Sequence, residues 1–413
     1  MNRIRNFFRT REMRKLLRDR LTIFAMIAIG AYLLTGVAIM CGAITAETCD
    51  EVVGPNKLSG FYRAELPERR YGIATTKFLQ AVQTALGQED PQAALKQVHL
   101  GRVHVADKSP EELQVIVDRV IALRDELNQS ENLDEDPAML PKLAEMEAEV
   151  AQLKAPLTGM DGFLHNASLW LGTDAQGRSI FFRGLYSIKI ALQIGLVTAT
   201  FSVILGAFLG AAAGYFGGWV DTVIVWIYTT FSSIPNLVLL VVIAYAFTGF
   251  DLEKRVPAFM SSWVSGIDIK NSLLPVYIAF GATFWIGTCR VIRGETMKLK
   301  EMEYIHAART AGFSSFHILL RHIIPNTAHL MLINFSLLLI GAIKSEVILS
   351  FLGLGVKGQP SWGIMIRDAG NNGDVVTGFF WEIGTATVLM FGLVLAFNIL
   401  SDALQDAFDP KHV

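Results

Sequence analysis

The sequence predicts an all-α, polytopic membrane protein with six transmembrane helices and a helical, extracytoplasmic insertion between the first and second. Three observations carry that expectation. First, hydrophobic residues fill 52% of the 413 positions, charged residues only 18%, and the mean hydropathy is +0.40. Soluble domains carry about 25% charged residues. Second, the charges are segregated, so that several long stretches hold almost none while one stretch holds many. Third, the net charge is −2, which gives no basic field for a nucleic-acid partner. The three cysteines, Cys41, Cys49 and Cys289, are too few for a disulfide framework or a four-thiolate metal site. Cys41 and Cys49 could pair or remain free thiols.

Residues 1–20 form a basic segment, with eight Lys or Arg against Glu12 and Asp19. Residues 21–45 come next, without a charge. As a helix they reach about 37 Å, enough to cross a hydrocarbon core of about 30 Å with tilt. Basic flanks stay in the cytoplasm, so this first span runs outward. A cleavable signal peptide would have a shorter apolar region and a small-x-small cleavage site near residue 45; no clean site is there.

The insertion, 46–170, has the opposite character. Residues 47–160 hold 20 acidic and 12 basic side chains. Ser109-Pro110-Glu111-Glu112 reads as a helix start, with a capping hydroxyl, a proline at the first helical position and acids at the positive helix end. Leu113, Ile116, Val117, Val120, Leu123 and Leu127 then recur at helical spacing. A polar turn over 128–136 precedes Leu143, Met146, Val150 and Leu153, which resume it. An antiparallel helical hairpin is expected, packed on shorter helices near 75–86 and 91–98. His99 and His104 have no partner at metal-ligand spacing, and no metal site is expected.

The remainder, 171–413, returns to membrane pattern. Spans are expected over 185–214, 220–247, 273–289, 328–354 and 383–400. With the first helix this makes six, and both termini fall inside. Alternation then places 290–327 in the cytoplasm. That stretch carries Arg290, Arg293, Lys298, Lys300, Arg309 and Arg321, as the positive-inside rule requires.

Gly206, Gly210 and Gly214 sit four apart, a spacing at which small residues let membrane helices touch. Their partner is either another helix of this chain or a helix of a partner subunit. Gly217-Gly218 makes a short turn, and Pro235 is expected to kink the third span. Lys344 and Glu346 are the unexpected charges of the fifth. A charge near the bilayer centre costs about 2.5–3.5 kcal/mol. The two are about 200° apart around a helix, so they do not face each other. They are candidate pathway-lining residues, unless both lie near the surface and reach water.

The cytoplasmic loop, 295–327, carries the functional signal. Glu303 to Gly312 reads as a short helix whose Ala307 and Ala308 offer a bare surface for a groove. Gly312 can end it at positive φ, Ser314 can cap a second helix, and Pro325 is expected to break that helix before the fifth span. Such a helix–turn–helix can transmit a push from a soluble partner.

This stretch resembles the coupling (EAA) loop of ABC-importer permeases. His306 stands at the motif's Glu position; Ala307, Ala308 and Gly312 match; Pro325 falls thirteen residues after the glycine, with His322 and Ile324 at the motif's Ile and Leu positions. Four further blocks are similar to the C-type permease of dipeptide and oligopeptide importers. They are Leu171–Arg178, Gly214–Asp221, Ser350–Val356 with Pro360-Ser361-Trp362-Gly363, and Asp406–Pro410. The resemblance covers roughly 170–413 and the first helix; the insertion is longer than the family's outer loop.

The resemblance implies a non-enzymatic transport subunit of a bacterial inner membrane. It would form half of a peptide pathway, contacting the ATPase through Glu303, His306, Ala307, Ala308, Gly312 and Pro325. Its implied partners are a sibling permease, two cytoplasmic ATPase subunits and an extracytoplasmic substrate-binding protein, besides lipid. The chain has no Gly-Lys dipeptide and so no phosphate loop; it holds no cofactor of its own, and ATP and magnesium belong to the ATPases. Two rival readings are a secondary transporter or channel needing no ATPase and a membrane-anchored scaffold acting through its insertion. The first usually shows inverted repeats and midplane ion sites, which are not evident here.

Overall fold

The computed structural model describes residues 19–54, 57, 73–88, 90–100, 103–128, 139–156, 159–248, 273–355 and 358–408. The basic residues before Asp19, the turn after Asn128, the Leu143 side chain, Val356, Asp409 and Pro410 lie outside them. The chain divides into two units. One comprises Met1–Cys41, Ser187–Ile364 and Val388–Val413; the other comprises Gly42–Tyr186 and Met365–Thr387.

The first unit holds the membrane helices. Among the described residues, five helical stretches are long and apolar enough to cross a bilayer: Arg20–Met40, Ile180–Phe216, Leu274–Leu299, Ala328–Phe351 and Trp381–Ala407. A sixth crossing exists if the bent pair Gly218–Ser232 and Asn236–Ala246 counts as one. Helix α1 (Arg20–Met40) starts on Asp19, whose carboxylate accepts the Thr22 N–H at 3.0 Å and the Thr22 hydroxyl at 2.7 Å. Those bonds hold the exposed Asp19 carboxyl below the usual carboxylate range.

Among the described residues of 46–170, the helices are α2 (Ala46–Asp50), α3 (Ile73–Leu86), α4 (Pro91–Gln97), α5 (Pro110–Asn128), α6 (Met139–Leu153) and α7 (Gly159–Ser168). Between α4 and α5, β1 (His99–Leu100) pairs antiparallel with β2 (Val103–His104). The remaining helices are α8 (Ile180–Phe216), α9 (Gly218–Ser232), α10 (Asn236–Thr248), α11 (Leu274–Thr283), α12 (Trp285–Leu299), α13 (Glu303–Thr310), α14 (Ser315–Ile318), α15 (Ile324–Asn326), α16 (Ala328–Phe351), α17 (Trp362–Asn371) and α18 (Trp381–Phe408).

Small residues set the contacts of the membrane unit, because without water the drive between helices is close approach. Gly36 of α1 leaves room for Leu192 of α8, and the Tyr32 hydroxyl donates to the Leu389 carbonyl of α18 at 2.9 Å. On α8, Gly195 rests on Leu339 and Ile343 of α16. Gly206, Gly210 and Gly214 press against the backbone of α12: a Cβ on Gly206 would lie 2.6 Å from the Trp285 carbonyl oxygen, and one on Gly210 2.5 Å from that of Cys289. The structure therefore sets this stripe against a helix of the same chain.

The third predicted span departs from expectation. Pro235 does not kink a continuous helix; α9 ends at Ser232, α10 begins at Asn236, and their axes differ by 89°. A proline lacks the N–H to continue the ladder and clashes with the preceding turn. Here Ser233 caps α9 through the Thr229 carbonyl, and the Pro235 carbonyl accepts the Leu239 N–H at 3.1 Å to open α10. Gly217 and Gly218, at φ 64° and 55°, supply the tight turn from α8 that a side chain would strain.

In the second unit, α3 to α6 bury one core, including Phe78, Val82, Leu113, Val117, Met146 and Leu153. α5 opens with a reciprocal cap. Ser109 Oγ accepts the Glu112 N–H at 3.3 Å, and the Glu112 carboxylate accepts the Ser109 N–H at 3.4 Å. Arg119 joins Glu149 across the hairpin at 2.6 Å, while burial pushes the Lys154 ammonium pKa down. His99 and His104 stand opposite one another across β1 and β2. Among the described residues no cluster of three or more metal ligands forms, and none of the three cysteines is disulfide-bonded.

Candidate functional site

The loop after α12 is a seated projection. Lys300–Met302 turn the chain, and α13 begins on Met302 in extended backbone. Ile305 and Ala308, three apart, share one face of α13 and are buried. They join Ala207, Ala211 and Tyr215 of α8, Ile292 of α12, and Ile318, Leu319 and Ile323 beyond the turn. Arg309 lies over the Tyr215 ring, 4.8 Å from its centre, and its Nε donates to the Tyr215 hydroxyl at 3.3 Å.

The turn itself is a Schellman motif. Gly312 sits at φ 83°, its N–H bonds the Arg309 carbonyl at 3.0 Å, and the Phe313 N–H bonds the Ala308 carbonyl at 3.2 Å. Ser314 then caps α14 by accepting the His317 N–H at 3.3 Å. Contrary to expectation, Pro325 does not break the helical path beyond α14. Residues Leu319–Ile323 widen into a π turn, and Pro325 occupies the first turn of α15. The wider turn accommodates the missing proline N–H, so the helical path continues toward α16. The Asn326 amide donates to the Tyr304 hydroxyl at 3.0 Å and to the His322 carbonyl at 2.7 Å, which ties α15 to α13.

The outward face of this projection carries Glu303, Tyr304, His306, Ala307, Gly312, Phe313, Phe316, Leu320 and Pro325, all exposed. His306 Nε2 is 3.9 Å from the Glu301 carboxylate, a weak surface pair. Ala308 does not belong to that face. The bare surface expected of two alanines is reduced to Ala307, because consecutive helical positions are 100° apart and Ala308 turns inward with Ile305.

The two charges of α16 have separate surroundings. Lys344 is exposed in this chain. Glu346 is 1% exposed, accepting the Ser350 hydroxyl at 2.6 Å and a second hydroxyl bond from Ser361. It does not reach water, as a pair of surface charges would.

The second unit holds an ion cluster that sequence reading missed. Buried Arg183, in the first turn of α8, donates to Asp174 at 2.7 Å, Glu382 at 2.9 Å and Asp368 at 3.2 Å. Arg178 bonds the same Asp174 at 2.7 Å and Asp368 at 3.3 Å. The Leu171–Arg178 block builds this hub: Gly172 and Gly177 turn at positive φ, and the other Asp174 oxygen accepts the Gln176 and Arg178 N–H groups. Lys57 reaches Asp374 at 2.8 Å. The available signal was the pair of opposite charges, Arg183 and Glu382, just outside two predicted spans.

Residues 202–412 match the family described as the binding-protein-dependent transport system inner membrane component. The chain belongs to this family. Among the permease's relatives, the dipeptide transport system permease protein of Bacillus subtilis is 31% identical over 247 residues, covering 60% of this chain and 70% of the relative. The glutathione transport system permease protein of Pectobacterium atrosepticum is 34% identical, covering 59% and 72%. The oligopeptide transport system permease protein of Mycobacterium tuberculosis is 33% identical, covering 58% and 75%. The permease is thus a membrane-spanning transport component whose relatives are permease subunits, not enzymes. Residues 46–170 precede the family match.

Proposed function

We propose that this permease forms half of the translocation pathway of an ATP-driven importer, with peptides as its cargo class. A sibling permease supplies the other half, two cytoplasmic ATPase subunits dock on 295–327, and a binding protein delivers substrate from outside. ATP and magnesium act on the ATPases. The observation that carries this reading is the α13–α15 projection. It is buried on α8 and α12 through Ile305, Ala308 and Ile318, yet presents Glu303, His306, Ala307, Gly312 and Pro325 outward. An element so seated transmits displacement to the membrane helices rather than bending. The peptide class rests on the relatives' names. Both termini lie inside and the insertion outside if the bent α9–α10 pair is one span; the basic residues of 290–327 support that orientation. Gly206, Gly210 and Gly214 are internal helix-packing positions in this reading.

Reconstitution tests it. Proteoliposomes holding the permease with its genomic-neighbour permease, ATPases and binding protein are expected to take up peptide only with ATP. A cysteine at Ala307 is expected to crosslink to an ATPase subunit. Uptake by the chain alone without nucleotide supports the secondary-transporter reading and overturns this one. Absence of any ATPase from the assembled complex, with the insertion holding another protein, supports the scaffold.

A further inference from the structure

The exposed large hydrophobics of the second unit are unevenly placed. Among its described residues, Val115 is the single one on the α3–α6 core. The other six, Met160, Phe163, Trp170, Val375, Val376 and Phe380, lie in the two segments that lead into membrane-crossing helices. Met160 and Phe163 are on α7, and Trp170 lies just beyond it; its ring is 6.1 Å from Phe163 and 5.5 Å from Phe181, in the first turn of α8. Val375, Val376 and Phe380 immediately precede Trp381, where α18 begins. The first turns of α8 and α18 stand side by side, because Arg183 is paired with Glu382.

The second set is held out firmly. Lys57 pins Asp374; the Asp374 N–H bonds the Ala369 carbonyl at 3.0 Å, and the Phe379 N–H bonds the Asp374 carbonyl at 2.8 Å. Val376, at 91% exposure, is the tip of that loop. An apolar tip on a braced loop, with a tryptophan and a phenylalanine beside a neighbouring helix start, has the chemistry of a bilayer interface, where amphipathic rings and short apolar faces settle at headgroup level.

We propose that these two apolar sets dip into the headgroup layer of the leaflet at which α8 and α18 begin. The occupant is a phospholipid surface, because both patches are continuous in the chain with helices that cross the bilayer. The inference requires that those helices span the membrane; it does not depend on an ATPase, a cargo or which side the unit faces.

The test uses the full chain, purified with its native subunits and placed in phosphatidylcholine nanodiscs. In a Cys41→Ser background, Phe163→Cys and Val376→Cys are labelled separately with a polarity-sensitive fluorophore. Gln114→Cys, exposed on α5, is the control. Lipids carrying a headgroup nitroxide are expected to quench the labels at 163 and 376 at least about twofold more than the label at 114. Iodide is expected to quench them less. Iodide quenching equal to the control without lipid quenching overturns the proposal, because the patches then face water. Protection from both quenchers also overturns it, because a protein subunit then covers them.

Discussion

Arg183 and Glu382 lie 199 residues apart in the chain and meet at 2.9 Å, with side chains 2% and 0% exposed. The same guanidinium serves Asp174 and Asp368, so one planar fork holds three carboxylates from three segments. Removing one member of a buried ion pair costs about 3–5 kcal/mol, because the partners stay buried without compensation. Arg183→Met is therefore expected to lower the thermal midpoint of the detergent-solubilised protein sharply and to expose the insertion to protease. Arg183→Lys, which keeps the charge but loses the fork, is expected to fall between. A midpoint unchanged in Arg183→Met would show that the cluster does not hold the unit together.

Gly210 and Gly294 give a matched pair on two touching helices. A Cβ on Gly210 would meet the Cys289 carbonyl oxygen at 2.5 Å, whereas one on Gly294 would meet nothing within 4 Å. Gly210→Ala must push α8 from α12, and overpacking of this kind costs about 1–3 kcal/mol. Gly294→Ala gains helix propensity of about 0.5–1 kcal/mol. Thermal midpoints are expected to move in opposite directions. Equal shifts would remove the close-approach account of the glycine stripe.

Much of this arrangement was legible in the sequence, and the parts that were not share a cause. Charge-free runs long enough to span a bilayer are a one-dimensional signal, so the helices over 21–40 and 383–400 could be read directly. The Ser109–Glu112 cap and the Gly312 turn are local chemistry, and both formed from neighbouring residues alone. What could not be read depends on three-dimensional environment. Ala307 and Ala308 are indistinguishable in sequence, and only contact with α8 separates the outward residue from the buried one. Pro235 and Pro325 present the same chemistry, yet one leaves a break of 89° and the other is absorbed by a π turn, because neighbouring residues satisfy the freed backbone groups differently. The Arg183 cluster pairs residues up to 199 positions apart, beyond any spacing rule.

The two alanines of the projection separate coupling from folding. Ala307→Trp adds bulk to the exposed face and leaves the buried cluster untouched. It is expected to abolish peptide-stimulated ATP hydrolysis by the reconstituted complex while the permease's stability stays within about 0.5 kcal/mol of wild type. Ala308→Trp forces an indole among Ile305, Tyr215 and Ile318 and is expected to destabilise the permease by more than about 1–3 kcal/mol. If Ala307→Trp leaves stimulated hydrolysis intact, the projection is not where the ATPase grips.

Lys344 and Glu346 are two residues apart on α16 and predict opposite phenotypes. Glu346 is enclosed and accepts from Ser350 and Ser361, so its role within the chain is to satisfy two hydroxyls in an apolar setting. Glu346→Leu strands both donors. A buried polar group left unsatisfied costs about 1–3 kcal/mol, so the variant is expected to melt early, whereas Glu346→Gln, which keeps an acceptor, melts closer to wild type. Lys344 is exposed in the single chain, and a lysine on a membrane helix is costly unless it faces water or a partner. It is the residue expected to meet cargo or the sibling subunit. Lys344→Met is expected to change the uptake rate or the preference between acidic and basic peptides by about tenfold, with stability unchanged. Competition among charged dipeptides in proteoliposomes measures this directly. An unaltered rate and preference in Lys344→Met would place that side chain off the pathway.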